Sequence, residues 1–215
     1  MRAIFANKMR SVLTVLGVMI GVAAVIAVVS LVQGMQHKLA SDLQDIGTTF
    51  IEVFPTPPDQ RTGFLQKTPD LTVEDAEAVR RGTLAIRDFT PLFLTSAQLR
   101  SGDYRHGTQM YAVNSSYQEI VNHWVEHGRF FTPLDEEQRK RVVVVGRDVI
   151  RDLHLGDEPF GKTIDINANT FTVIGTFEKK GGSFGNNQDD IVVIPFATAT
   201  VLYGNENMRK LILAF

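Results

Sequence analysis

The sequence of 215 residues contains no cysteine. A disulfide framework, a cysteine-based metal site and a thiol nucleophile are therefore excluded. Acidic residues are missing from the first 41 positions, where four basic residues occur: Arg2, Lys8, Arg10 and Lys38. Because the whole chain has 22 basic and 24 acidic residues, the part after Lys38 has a formal charge of about −6. This balance argues against a nucleic-acid partner, whose phosphates require a basic surface.

Charge is also missing from a long apolar run, Val12–Val32, in which Thr14 and Ser30 are the only polar side chains. At about 1.5 Å per residue this run forms a helix of roughly 30 Å, which matches the hydrocarbon core of a bilayer. A helix also satisfies its backbone hydrogen bonds internally, as a membrane requires. A cleaved signal peptide would have an apolar region of about 7–15 residues, followed by a small-x-small site. The small residues lie within the run, so an uncleaved transmembrane helix is favoured.

The basic residues before the run predict its orientation. By the positive-inside rule they place the N-terminus in the cytoplasm and the residues after about position 33 outside. Residues 1–10 are amphipathic and are predicted to contact membrane lipid. Within the run, Gly17 and Gly21 form a G-x-x-x-G pattern that Ala24 extends. Such small residues allow a second helix to pack closely, although glycine is also common in transmembrane helices without this role.

A mixture of helix and strand patterns follows the run. Leu39, Leu43 and Ile46 keep helical spacing, so the helix is predicted to continue as a stalk to a cap at Gly47. Later segments alternate between short strands and helices without a long-period repeat, which predicts an α+β fold. The predicted helices are 72–81, with Thr72 and Asp75 as a capping box, 117–127 and 148–153. The predicted strands are 48–54, 86–94 with an interruption at Pro91, 97–100, 108–113, 141–145, 163–166, 171–177 and 191–195.

The segment Gly156–Thr163 matches the P-loop pattern G-x-x-x-x-G-K-[ST]. A P-loop needs a strand before it and a helix after it, so that backbone N–H groups converge on the phosphates. Here the preceding residues have a helical pattern and the following residues alternate like strands. Asp157 and Glu158 would also repel an anionic ligand. We therefore interpret the segment as a surface turn.

The segment His123–His127 matches the inverted zincin pattern H-x-x-E-H. Two histidines on one helix could bind zinc, with Glu126 as the general base. The sequence offers no third ligand, however, and Gly128 ends the predicted helix. We interpret the histidines as the polar flank of a helix whose apolar face includes Trp124.

Two polar stretches receive structural interpretations. Residues 135–141, DEEQRKR, mix both charge signs and are predicted to form a solvated face. Residues 179–187, KKGGSFGNN, could cradle a phosphate, but their flanks have strand patterns and an exposed flexible turn is favoured. No Ser-His-Asp arrangement can be assembled from local patterns. The sequence thus predicts no catalytic residue, no cofactor and no metal site.

Several segments of the sequence resemble segments of one protein family and occur in the same order as in that family. NKMRSVLTVLGVMIGVAAVIAVVSLVQGMQ and DIGTTFIEV are similar to the start of MacB-type, FtsX-like ABC transporter permeases. Matches to the periplasmic core domain of that family follow in the same order and cover nearly the whole chain. They are HGRFF at 127–131, VVVVG at 142–146, LG at 155–156 with PFGKTI at 159–164, FTVIGTF at 171–177 and DDIVVIP at 189–195.

The resemblance implies a membrane subunit that performs no chemistry itself. Such a permease has four transmembrane helices, with its periplasmic domain between the first and the second. It works as a homo- or heterodimer in the bacterial inner membrane. An ABC-type ATPase, fused or separate, hydrolyses ATP, and the motion passes through the membrane and stalk helices, a mode called mechanotransmission. The outcome is export or lipoprotein release, with a periplasmic adaptor or a lipoprotein as a further partner.

The resemblance also implies a division of the chain. Residues 1–47 form the amphipathic start, the transmembrane helix and the stalk, and residues 48–215 form the periplasmic core domain. Two subdomains are expected there, an incomplete first one of residues 48–95 and 191–215 and an inserted one of residues 96–190. With one of the four transmembrane helices in the sequence, we expect a fragment of a longer permease. The alternative is a single-pass anchored periplasmic module that binds a partner without transport.

Overall fold

The computed structural model describes residues 8–46, 50–55, 71–82, 85–183, 186–204 and 210–214. The chain divides into two compact units, residues 1–45 and 46–215. Helix α1, Lys8–Ile46, provides the described residues of the first unit, and its last residue, Ile46, belongs to the second. The helices of the second unit are α2 (Val73–Gly82), α3 (Tyr117–Val121), α4 (Pro133–Glu137), α5 (Arg147–Asp152) and α6 (Phe196–Tyr203). Its strands are β1 (Phe50–Val53), β2 (Asp88–Ser101), β3 (Tyr104–Val113), β4 (Val125–Gly128), β5 (Val142–Val145), β6 (Thr163–Ile166), β7 (Asn169–Phe177), β8 (Gly182–Ser183), β9 (Asn186–Asn187), β10 (Ile191–Pro195) and β11 (Lys210–Ala214).

Helix α1 is uninterrupted over 39 residues. Its segment Met9–His37 is long and apolar enough to cross a membrane, by length and composition. Each side chain from Val12 to His37 is exposed within the chain. The helix continues beyond this segment to Ile46, which confirms the predicted continuation, whereas the predicted cap at Gly47 lies outside the described residues. A helix that is apolar on all sides needs lipid or another helix around it.

Among the described residues, nine strands of the second unit form one sheet in the order β1-β11-β2-β3-β10-β5-β7-β4, and β6 pairs with both β2 and β7. These two pairings close β2, β3, β10, β5, β7 and β6 into a ring. Strand β10 runs parallel to β3, and β5 runs parallel to β7, while the other pairs are antiparallel. Closure of the ring leaves its strands with few free edges.

Alternate residues of the ring strands face two different apolar clusters. In β5, Val143 and Val145 belong to the first cluster, whereas Val142 and Val144 belong to the second. The first cluster draws residues from all six ring strands, together with Val149 of α5 and Ala199 of α6, and therefore fills the ring. The second cluster includes residues of α3. Because both faces of β5 and β10 are buried, their sequences VVVV and IVVIP are continuous apolar runs.

Most predicted elements are confirmed to within a few residues. The capping box of α2 forms, because the Asp75 carboxylate accepts from the Thr72 N–H (2.9 Å) and the Thr72 hydroxyl accepts from the Asp75 N–H (3.2 Å). The helix at 148–153 and the strands at 108–113, 141–145, 163–166, 171–177 and 191–195 are also observed. The mixed α/β character predicted for the domain is thus confirmed.

The predicted helix 117–127 is wrong in its second half. Helix α3 ends at Val121, because Asn122 adopts a left-handed conformation with φ of 51°. The chain then pairs with β7 as strand β4, and the Gln118 side chain accepts a hydrogen bond (3.0 Å) from the first N–H of this strand. Strand pairing therefore replaces the helical pattern. Trp124, expected on an apolar helix face, is 46% exposed.

Strand β2 is longer than predicted and is not interrupted at Pro91. It pairs with β11 as far as Leu92 and with β3 from Phe93 onwards. At Pro91 the strand has a partner on one side only, so the missing N–H of proline costs no ladder hydrogen bond. The expected subdomain boundary at residue 95 lies within this strand, and the division into two subdomains stays a prediction.

Gly175 allows two chain segments to approach closely at the β4–β7 pair. A Cβ atom there would overlap the Arg129 carbonyl oxygen and lie 3.1 Å from the Val125 side chain. We expect Gly175→Ala to lower the free energy of unfolding by about 2 kcal/mol, because backbone must move. Urea unfolding followed by Trp124 fluorescence would measure the change. Gly107→Ala is the control, since its Cβ would meet the flexible end of Gln98, and equal losses would contradict this explanation.

Candidate functional site

The three residues predicted to pack against another transmembrane helix are accessible. Gly17, Gly21 and Ala24 are exposed on α1. A Cβ atom added at Gly17 or Gly21 would meet no atom within 4 Å beyond its chain neighbours and the adjacent backbone of α1. Their spacing of four and three residues places them on one face of the helix. This face can accept a partner helix at short distance, and that role stays a prediction.

The P-loop-like segment, Gly156–Thr163, lies after a helix and before a strand, whereas a nucleotide-binding loop lies after a strand and before a helix. It follows α5 and leads into β6. The Gly161 N–H donates to the Val173 carbonyl (2.9 Å), and the Lys162 ammonium donates to the Leu155 carbonyl. Two groups that a phosphate would need are thus used within the chain. The interpretation as a turn agrees with the structure.

His123 and His127 do not share a helix face. His123 is 2% exposed, and its ring stacks on Phe177 with 4.2 Å between ring centroids. Its Nε2 atom has no hydrogen-bond partner among the described residues. Burial lowers the pKa of His123 to about 4, and the positive charge of Lys180 contributes in the same direction. His127 lies on β4 with a side chain that is 59% exposed.

The described ranges contain no group of three or more histidine or acidic side chains placed to hold a metal ion. His123 is buried and His127 is exposed, so the two side chains do not form a pair on one helix face, and the absence of a metal site stays a prediction. The sequence pattern did not reveal that His123 is buried as a neutral side chain. Its burial depends on Phe177, which is more than 50 positions away.

The interpretation of residues 135–141 as a solvated face is wrong for Asp135, whose side chain is 3% exposed. Its carboxylate accepts from Arg129 (2.6 Å), from Lys140 (2.8 Å) and from the N–H and hydroxyl of Thr132 (both 3.0 Å). The Arg129 hydrogen bond is the main reason that the pKa of Asp135 lies well below its ordinary value. The capping-box pattern of Thr132 and Asp135 was the sequence signal for this role.

Asp189 holds the start of the segment 179–187, which was predicted to be an exposed flexible turn. Asp189 is 4% exposed, and its carboxylate accepts hydrogen bonds from the backbone N–H groups of Lys180 (2.9 Å) and Gly181 (3.0 Å). Between these anchors, β8 and β9 pair as short antiparallel strands. The N–H groups that could have cradled a phosphate therefore bind a carboxylate of the same chain.

A groove of about 540 Å³ lies beside α5, and we call it the α5 groove. Helix α5 contributes one face to it, at the spacing i, i+3 and i+4. The paired strands β4 and β7 contribute a second wall, and the loop after α5 contributes a third. The residues that line the groove are His127, Arg147, Ile150, Arg151, His154, Gly156, Asp157, Pro159, Phe160 and Thr176.

Comparison with known proteins identifies the family. The family model of the MacB-like periplasmic core domain matches residues 11–214. The chain belongs to the MacB-like periplasmic core domain family. Among its relatives, the macrolide export ATP-binding/permease protein MacB of Neisseria meningitidis serogroup A is 33% identical over 199 residues, which are 92% of this chain and 30% of that protein. The MacB protein of Azoarcus sp. is 33% identical over 216 residues, which are 100% of this chain and 32% of that protein.

The chain thus spans about a third of the length of the MacB proteins that it matches. Two solved structures have the same fold. The periplasmic region of MacB from Actinobacillus actinomycetemcomitans has a TM-score of 0.65 and 22% identity, covering 83% of this chain and 79% of that one. The extracellular domain of the transporter YknZ from Gram-positive bacteria has a TM-score of 0.63 and 20% identity, covering 76% and 82%. The family and fold expected from the sequence resemblance are confirmed.

Proposed function

We propose that this chain is the first transmembrane helix and the periplasmic core domain of a MacB-like ABC transporter permease in a bacterial inner membrane. The observation that carries the proposal is the extent of the family match. It begins at residue 11, inside α1, and runs through the domain to residue 214. The apolar helix and the folded domain are therefore parts of one family unit. Lys8 and Arg10 before the apolar segment support a cytoplasmic N-terminus, with the residues after about position 33 in the periplasm.

In this function the chain performs no catalysis, and α1 transmits motion. An ABC-type ATPase, fused or separate, hydrolyses ATP on the cytoplasmic side. The continuity of α1 supports a mechanical role, because residues 38–46 extend the apolar segment without a break. A continuous helix passes rotation and translation along its axis with little loss. The proposed outcome is export, as the names of the MacB relatives suggest, or lipoprotein release with a periplasmic adaptor or a lipoprotein as partner.

The proposed permease works as a dimer, homo- or heteromeric. Gly17, Gly21 and Ala24 are the residues that we assign to contact with another transmembrane helix. Their exposure and the free space around the glycines support this assignment. In a membrane, close packing of small residues is one of the main forces between helices, because lipid offers no hydrophobic drive for association.

A proline in the stalk would test the coupling. Leu39 lies in α1 beyond the apolar segment and is 45% exposed. In the permease purified with its ATPase and reconstituted in vesicles, we expect Leu39→Pro to reduce ATP-driven export at least about tenfold, because proline breaks or kinks a helix. ATP hydrolysis should continue at more than about half the original rate, since the kink that proline makes is local to the helix.

Leu39→Ala is the matched control, because alanine keeps the helix intact. Export unchanged by the proline would show that α1 does not transmit the motion. Failure of any ATPase to purify with the protein from its native membrane would favour the alternative, a single-pass anchored module that binds a partner without transport.

A further inference from the structure

Strand β2 belongs to two parts of the large sheet. Its residues 88–92 pair with β11, which pairs in turn with β1, whereas the residues from Phe93 onwards pair with β3 of the ring. We call β1, β11 and residues 88–92 the open sheet, and the position between Leu92 and Phe93 the joint. Because α1 ends at Ile46 and β1 starts at Phe50, a displacement of α1 reaches the open sheet before it reaches the ring.

The joint is packed on both faces of β2. Residues 89–93 are all buried, with Leu92 in the second apolar cluster and Phe93 in the first. The second cluster also draws residues from the ring strands, and Phe50 and Ala214 of the open sheet pack against it. Apolar packing therefore continues across the joint, and bending there would expose part of it to water.

A second link crosses the joint beside β2. Strand β3 ends at Val113, and the segment that follows binds the start of β2. The Asn114 backbone N–H donates to the Thr90 hydroxyl (3.1 Å), and the Asn114 side-chain amide donates to the Phe89 carbonyl (2.8 Å). The chain thus stays attached to β2 after the pairing of β2 with β3 has ended. We call residues 114–116 the clamp.

The last residue of the clamp, Ser116, binds β2 instead of capping a helix. It occupies the N-cap position of α3, where a serine side chain ordinarily accepts a hydrogen bond from the first turn. Here no such bond forms, and the hydroxyl donates to the Asp88 carboxylate at the start of β2. The neighbouring Ser115 N–H donates to the Glu136 carboxylate of α4 (2.6 Å). The clamp therefore connects the start of β2 with α3 and α4.

We propose that the clamp holds the open sheet and the ring together as one rigid body, so that a displacement that enters at β1 moves the ring without bending β2 at the joint. Along residues 88–92, β2 has a strand partner on one side only among the described residues. The hydrogen bonds of Asn114 and Ser116 supply the support that a second strand would give. This rigidity is a property of the domain and does not depend on an ATPase or on transport.

The distance between two spin labels would measure this rigidity. Because the chain has no cysteine, Ala78→Cys on α2 and Gln109→Cys on β3 provide two specific labelling sites, and both side chains are exposed. A label on α2 follows the open sheet, since Ala76 packs with Phe89 and Leu213 in a third apolar cluster. The full chain in nanodiscs, diluted with unlabelled chain, would be measured by double electron–electron resonance. We expect one narrow distance distribution.

Asn114→Ala combined with Ser116→Ala removes the side-chain hydrogen bonds of the clamp. We expect this double variant to widen the distance distribution at least about twofold, because the joint is then free to bend. Ser116→Ala alone should widen it by a smaller amount, and this milder variant keeps the test available if the double variant does not fold. Thr198→Val is the matched control, since it removes a buried hydroxyl that donates to the Lys140 carbonyl (2.9 Å) away from the joint. It should leave the width unchanged.

Three results would overturn the proposal. A distribution that stays narrow in the double variant, or in Ser116→Ala if only that variant folds, would show that β2 and the apolar clusters hold the joint without the clamp. Equal widening in Thr198→Val would show a general loosening of the domain. A broad distribution in the chain with the original clamp would show that the open sheet and the ring are not one rigid body.

Discussion

Replacing Asp135 with asparagine is expected to lower the free energy of unfolding by about 2–3 kcal/mol at pH 7. Its carboxylate pairs with Arg129 (2.6 Å) and Lys140 (2.8 Å) and accepts two hydrogen bonds from Thr132. Asparagine has nearly the same shape but no charge, so both cations lose their partner. These cations are 50% and 42% exposed, and solvent around them keeps the loss below that of a fully buried ion pair.

The effect of Asp135 should depend on pH in a defined direction. Its pKa is lower in the folded protein than in the unfolded chain, mainly because of the hydrogen bond from Arg129. The stabilisation is therefore complete above a pH of about 4 and is lost as the pH falls further towards the folded-state value. Urea unfolding followed by Trp124 fluorescence, at pH 7 and at pH 3, would measure this change.

Asp165→Asn is the control for Asp135. Asp165 also pairs with an arginine, Arg100 (2.8 Å), but the side chains of this pair are 27% and 58% exposed. Exposed ion pairs contribute little to stability, so the control should lose much less than Asp135→Asn. Similar losses in the two variants at pH 7 would show that the buried position of Asp135 has no special importance.

His123→Phe is expected to remove an acid-dependent loss of stability. Burial lowers the pKa of His123 to about 4 in the folded protein, whereas the unfolded chain has a value of about 6.5. Between these values the unfolded state binds a proton that the folded state does not bind. The folded state of the original protein therefore loses about 3 kcal/mol between neutral pH and pH 4 because of this one group.

Phenylalanine suits the position because the His123 ring stacks on Phe177 and its Nε2 atom has no partner among the described residues. The measurement is the free energy of unfolding in urea at pH 7.5 and at pH 4.5. The decrease between the two pH values should be smaller in His123→Phe than in the original protein by about 2–3 kcal/mol. His127→Gln, a change at an exposed histidine, should leave the decrease as it was. A decrease that is identical in His123→Phe and the original protein would show that His123 is not held neutral by its surroundings.

Local patterns were sufficient for much of the fold. The apolar run of α1 and its continuation, the capping box of α2 and the strands of the ring follow from composition and near-neighbour periodicity. The pattern failed at 117–127, where Trp124 and its neighbours have helical spacing but belong to the approach to β4. The pairing of β4 with β7, some 50 residues later, decides their conformation. The interruption predicted at Pro91 was wrong for the same reason. Pro91 lies where β2 pairs with β11 but not yet with β3, and the sequence around it does not specify these pairings.

Of the candidate sites, one could also be predicted from the sequence and the other could not. The exposure of Gly17, Gly21 and Ala24 could be expected from a helix that is apolar on all sides. The α5 groove could not be predicted, because Arg147, His127 and Phe160 come from three separate segments. The residues next to each of them in the sequence form no pattern that indicates a site. Only the closure of the ring and the path of the loop after α5 bring them together.

The sequence by itself determined the long apolar helix, the α+β character of the domain and the family. These depend on apolar length, on spacing within one element and on the order of matched segments, which are all properties of neighbouring residues. The tertiary structure alone decided which polar side chains are buried and paired. His123 is neutral because Phe177 covers it, and Asp189 is an anchor because the chain returns to present Lys180 and Gly181. Burial and hydrogen bonding depend on contacts between distant segments, which local periodicity does not specify.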